Sequence, residues 1–157
     1  MDNHLKIIHT LDALFGEGTS AQLPKNYSMD FSRTGKIKSV YENDNLLCTL
    51  RIDGGLAITP YFAQILLKSD TFKDNCLEID DDSKIFVEEG KSVFCKHVTW
   101  CGENVMVSAD TPILHQNHVI AVGRAVLPSF IIKTQTRGVA VKVRHSLKSD
   151  HMVGDSS

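Results

Sequence analysis

From Leu5 the apolar residues Ile7, Ile8, Leu11, Leu14 and Phe15 recur at spacings of three and four, which predicts an amphipathic helix. Asp2 or Asn3 can cap it, and Gly16 and Gly18 can end it. After Pro24 the period drops to two. Tyr27, Met29 and Phe31 share a face, and Arg33-Thr34-Gly35-Lys36 reads as a turn. Residues 37–41 and 46–52, joined by Glu42-Asn43-Asp44-Asn45, extend the alternation into a three-stranded antiparallel meander closed by Asp53-Gly54-Gly55. Thr59-Pro60 then supplies an N-cap and a proline at the first helical position, followed by the stripe Phe62, Ile65, Leu66 and Leu67. Residues 1–75 are therefore expected to form an α+β unit of helix, three strands and helix, with the polar stretch 68–75 as its connector.

The second half has a different texture. Residues 76–79 read as a short strand, and Asp80-Asp81-Asp82 place capping carboxylates before a helix that carries Ile85, Phe86 and Val87 and stops at Gly90. Residues 93–100, 105–108 and 119–127 are rich in valine and alanine and predict strands. Pro128 opens a helical turn that ends at Arg137-Gly138, after which Val139, Val141 and Val143 alternate with Ala140, Lys142 and Arg144 in the clearest strand of the chain. This β-rich unit is expected over 76–150, followed by a disordered tail over 151–157.

Length and composition bound the function without choosing it. A chain of 157 residues, 42% hydrophobic and 23% charged, fits one ordinary domain or two small ones. No run approaches the roughly 20 apolar residues of a membrane span, and Met-Asp-Asn-His lacks the features of a signal peptide, so a cytoplasmic location is expected. Cys48, Cys76, Cys95 and Cys101 match neither a disulfide framework nor paired zinc spacing, and read as reduced thiols. Cys95-Lys96-His97 with Cys101 brings thiol and imidazole close in sequence but offers no fourth ligand and no third orienting group. No catalytic residue, metal or cofactor is expected.

Net charge is only −2, yet its distribution is uneven. Residues 70–90 hold Lys73 and Lys84 against eight carboxylates, a balance of −6. Residues 91–148 hold Lys91, Lys96, Arg124, Lys133, Arg137, Lys142, Arg144 and Lys148 against Glu103 and Asp110, a balance of +6. Such asymmetry fits either a local polyanion site or a solvated surface whose charges pair in space. Lys142 and Arg144, two apart on a strand, point the same way and can reach neighbouring phosphates. Gly90-Lys91-Ser92 lies at a helix-to-strand junction, where glycine admits a close ligand and the next two residues offer donors. Phe94 reads as core or as a base-stacking ring, and His97 as a ligand or a satisfied structural histidine. Gly123 interrupts a strand and predicts a bulge or a close backbone approach, with Arg124 either a ligand arm or a partner for the acidic helix.

The blocks GKSVF, KHV, AVGRA and RGVAVKVRH, in this order behind an acidic capped helix, resemble a PUA domain, the small RNA-binding pseudo-barrel of pseudouridine synthases and archaeosine transglycosylases. DALFGEGTS, SRTGKIKSVY and LLCTLRIDGGLAIT resemble the domain that precedes it in archaeosine tRNA-guanine transglycosylases. The resemblance implies a PUA-like pseudo-barrel behind the α+β unit. It further implies a non-catalytic chain that binds tRNA at the acceptor stem and 3′ end, without the family's zinc-containing catalytic barrel. Its partners would be tRNA and a transglycosylase catalytic subunit. By position it gives the RNA contacts to Gly90, Lys91, Ser92 and Val93 and to Lys142, Arg144 and His145, and Lys96, His97 and Arg137 complete the candidate set. Pre-PUA plus PUA pairs also occur in proteins acting on ribosomal initiation complexes, which is the alternative.

Overall fold

The structure, a computed structural model, describes residues 2–147. The chain divides into two compact units between Phe72 and Lys73. The expected tail over 151–157 lies outside the described residues, as does Lys148.

In the first unit, α1 (Asn3–Phe15) is capped by the Asp2 carboxylate, which accepts from the His4 N–H at 2.8 Å, and it buries Ile7, Leu11 and Phe15. Strands β1 (Tyr27–Phe31), β2 (Ile37–Glu42), β3 (Asn45–Leu50) and β4 (Leu56–Ile58) pair in chain order as an antiparallel sheet. The sheet thus has four strands where periodicity predicts three. β4 is only three residues long, too short to show alternation, and the Asp53-Gly54-Gly55 turn returns the chain into the ladder beside β3. α2 (Pro60–Leu66) begins as expected, with the Thr59 hydroxyl accepting from the Phe62 N–H, and it buries Phe62, Ala63 and Leu66. Phe15 and Phe72 meet edge to face, with centroids 5.3 Å apart.

The second unit is a six-stranded sheet with one helix at each end of its chain order. β5 (Leu77–Ile79) leads into α3 (Asp81–Glu88), followed by β6 (Val93–Phe94), β7 (Val98–Cys101), β8 (Asp110–His115), β9 (His118–Ala125), α4 (Ser129–Thr134) and β10 (Val139–Ser146). The spatial order is β6-β10-β9-β8-β5-β7, antiparallel except for β5 against β8. Leu77, Val87, Val93, Ile113, Ala121, Ile132, Ala140 and Val141 lie in its core. Pro112 sits inside β8 without breaking it, since pairing with β5 begins only at Ile113, so no partner there needs its missing N–H.

Three sequence expectations differ from this unit. Residues 93–100 are not one strand: a 3₁₀ turn over Cys95–His97 separates β6 from β7. Residues 105–108 form turns rather than a strand, with Val105 buried and Ser108 left-handed at φ 71°. Phe94 is 46% exposed and not core, because β6 ends there and the chain turns away.

Candidate nucleic-acid interface

β10 carries the site. Lys142 on β10 faces Arg124 on β9, and Arg124 in turn faces Asp110 on β8, so the three form one row across three strands. Lys142 and Arg124 are exposed and form no ion pair among the described residues. Like charges directly opposite one another in a sheet repel. The pairing between β9 and β10 shifts between Val143 and His145, leaving Arg144 as the extra residue of a bulge. The bulge turns its guanidinium toward Asp110, to which it donates at 2.8 Å, and that carboxylate is only 2% exposed. Arg144 is thus anchored at one edge and half open at the other. An open groove of about 500 Å³ runs over these residues, walled by Val107, Ser108, Arg124, Val126, Lys142 and Arg144.

The strands can lie this close because of Gly123. A side-chain carbon there would stand 2.3 Å from the Lys142 carbonyl oxygen, so the close backbone approach expected from the sequence is present. The Ser108 N–H donates to the Ala125 oxygen at 2.8 Å and fixes the groove's far wall.

The glycine loop runs along the other edge of β10. α3 ends in a Schellman motif: the Gly90 N–H donates to Val87 O and the Lys91 N–H to Phe86 O, both at 2.9 Å, with Gly90 left-handed at φ 94°. The Lys91 ammonium rests 5.4 Å from the centroid of the Phe86 ring. Val93 pairs with Val141, and the Ser146 hydroxyl donates to Glu88 O at 2.7 Å. Loop residues 89–92 are therefore pinned at both ends beside 141–146, which brings Gly90, Lys91 and Ser92 alongside Lys142 and Arg144.

The remaining candidates divide. Val93 is buried, so its side chain is core. His145 is half-buried beyond the bulge, opposite Val122. His97 donates or accepts at Nδ1 against Asp80 at 2.8 Å, and the Asp80 N–H donates to the His97 carbonyl, so this histidine clamps the start of α3. Lys96 and Arg137 are exposed near the opposite end of β10 from Arg144. Arg124, for which the sequence left a choice, faces the groove and forms no ion pair with the acidic helix. Its place follows from the register of three strands distant in sequence, which single-strand alternation does not reveal.

The α3 N-terminus gives a pH prediction. Burial by itself would raise the Asp80 carboxyl, but hydrogen bonds from His97 and Ser83 outweigh it and hold the group below the ordinary carboxylate range. A depressed folded-state value contributes stability above the unfolded-state value of about 3.9, and that contribution is lost as pH falls through the folded value. Urea unfolding of Asp80→Asn beside the parent is expected to show a stability gap that is constant near neutrality and closes below about pH 4. A gap independent of pH would refute this coupling.

All four cysteines are buried, and none forms a disulfide among the described residues. Burial raises the Cys76, Cys95 and Cys101 thiols, which keeps them protonated and inert as nucleophiles. Among the described residues no group of three His, Cys, Asp or Glu side chains could hold a metal, and no helix is long and apolar enough to cross a membrane.

Comparison with known proteins bears on the domains and the fold. Residues 76–147 match the PUA domain, and residues 6–73 match the patch-forming domain C2 of tRNA-guanine transglycosylase. A tRNA-guanine(15) transglycosylase of Methanobrevibacter smithii is 30% identical over 94% of this chain and 23% of its own length. That of Methanosphaera stadtmanae is 34% identical over 71% of this chain and 17% of its own. The chain therefore spans about a fifth of the length of the relatives it matches, in their C-terminal part. Among solved structures, a hypothetical protein of Pyrococcus horikoshii superposes with a TM-score of 0.73 at 21% identity, covering 90% of this chain and 88% of that one. A PUA domain protein of Thermoplasma acidophilum gives 0.60 at 14%, covering 74% of each. These share the fold. With a C2-type domain over 6–73 followed by a PUA domain over 76–147, the chain resembles the C-terminal part of the tRNA-guanine(15) transglycosylases.

Proposed function

We propose that this chain is a non-catalytic tRNA-binding module that holds the acceptor stem and 3′ end for a transglycosylase catalytic chain. The observation that carries the reading is the row Lys142–Arg124, two exposed cations facing each other with Arg144 beside them and, within the row, Asp110 as the counter-charge, already paired to Arg144. A phosphodiester backbone lying in that groove supplies the missing counter-charge, and Lys91 and Ser92 on the adjoining loop extend the contact along the strand. The apolar wall of Val107 and Val126 suits sugar edges, in keeping with recognition of helical RNA by shape and 2′-hydroxyls. The transglycosylase partner rests on the relatives' names and on the share of their length that this chain spans.

Titration with a tRNA transcript at several salt concentrations tests the RNA reading. Three phosphate contacts at about 0.8 each in the logarithmic slope weaken binding roughly thirtyfold between 50 and 200 mM salt. An affinity indifferent to salt removes the reading. The partner is tested by co-purification: a transglycosylase barrel supports it, and small ribosomal subunits without that barrel refute it.

A further inference from the structure

A second group of cations lies in the same unit and away from the groove. Lys96 on the 3₁₀ turn Cys95–His97 and Lys133 on the last turn of α4 line one cleft of about 280 Å³ between β7 and α4, together with Thr99, Trp100, Gln135 and Thr136. No acidic residue lines it. Arg137 follows just beyond the lining, on a backbone that is held in place: the Gln135 side-chain amide donates to the Arg137 carbonyl at 2.7 Å, and the Cys95 N–H donates to the Gly138 carbonyl at 2.9 Å. Those two bonds tie the turn carrying Arg137 to the turn carrying Lys96. Lys73 lies outside this lining, its ammonium 5.0 Å from the Trp100 ring centroid and donating to the Asn117 side-chain oxygen. Lys96, Lys133 and Arg137 are exposed and make no ion pair among the described residues.

Lys133 has a local reason to be there, since a cation suits the end of a helix, but Lys96 and Arg137 have none. Two unneutralised lysines on one cleft, with Arg137 on the adjoining turn, repel one another, and a polyanion filling the cleft relieves that repulsion. Hydroxyl and amide donors from Thr99, Thr136 and Gln135 are the groups that contact phosphate oxygens without reading sequence.

We propose that Lys96, Lys133 and Arg137 form a second binding surface for a phosphodiester backbone, distinct from the groove at Lys142 and Arg124. The proposal rests on the RNA reading above and adds to it. β10 from Val139 to Arg144 spans six residues, five steps of about 3.3 Å or roughly 16 Å in all, so no single phosphate touches both surfaces. One RNA is then contacted at two places along its backbone.

The test uses the full chain, a tRNA transcript and hydroxyl-radical footprinting, with the triple variant Lys96→Glu, Lys133→Glu, Arg137→Glu set beside the groove variant Lys142→Glu, Arg124→Glu. The parent is expected to protect two backbone segments, of which each variant loses one. The triple variant is expected to bind more weakly by about a hundredfold or more at 0.1 M salt, with the salt slope reduced by about two to three, and its thermal midpoint unchanged. Footprint and slope unchanged in the triple variant, while the groove variant loses binding, overturn the second surface and leave the RNA reading standing. A parent chain that protects no RNA overturns both. Weakened binding in the triple variant with a single, intact footprint also overturns the proposal, since it assigns these cations to long-range attraction alone.

Discussion

Gly123→Ala is expected to destabilise the PUA unit by about 3 kcal/mol or more, although it adds a single methyl group. The new carbon would stand 2.3 Å from the Lys142 carbonyl and 2.7 Å from a Val141 methyl, and the first of these is backbone, which has no rotamer to escape into. Relief requires β10 to move off β9 at the place where Val143 pairs with Gly123. Thermal unfolding should show a midpoint lower by more than about 10 °C. Because the displaced strand carries Lys142, RNA affinity should fall in the same variant even below its midpoint. A variant with parental stability would show that the strands part without cost and that the packing at Gly123 does not hold the groove in shape.

Reversal of both facing cations, Lys142→Glu with Arg124→Glu, is expected to weaken tRNA binding by about a hundredfold or more at 0.1 M salt. The logarithmic salt slope should drop by about 1.5 to 2, one increment per lost contact. The circular dichroism spectrum should not change, because both side chains are exposed and neither is ion-paired among the described residues. Arg144 is the wrong residue for this experiment. Glutamate at 144 would face the nearly buried Asp110 carboxylate, so loss of binding there would mix with loss of stability. Parental affinity in the double variant would remove the groove from the RNA contact.

Which features could be read from the chain follows from how local their causes are. Asp2, Thr59 and Asp80 act within three residues of where they stand, and each caps the helix its position predicts. Gly90 ends α3 because the chain there needs a left-handed residue at once. The alternation of β10 likewise places Lys142 and Arg144 on the solvent side. What was hidden depends on partners far along the chain. β4 is too short for a period, and residues 105–108 are apolar because Val105 plugs the core while its neighbours turn. Phe94 carries the residue type of a core and the position of a strand end. Within the site, the bulge that diverts Arg144 onto Asp110 and the register that sets Arg124 opposite Lys142 exist only once β8, β9 and β10 are assembled. Arg137 shares its motif block with Lys142 and Arg144 but not their place.

The polarity of α3 has a consequence for Lys91. The helix runs from carboxylates at its start to Gly90 at its end, so the pole beside the loop is the negative one, with Glu88 and Glu89 next to it. Unlike a helix N-terminus, this corner repels anions by itself, and the single ammonium of Lys91 is the charge at the corner that offsets that repulsion. Acetylation of that one amine would therefore remove the offset and shorten the track available to a nucleic-acid strand without displacing any backbone atom.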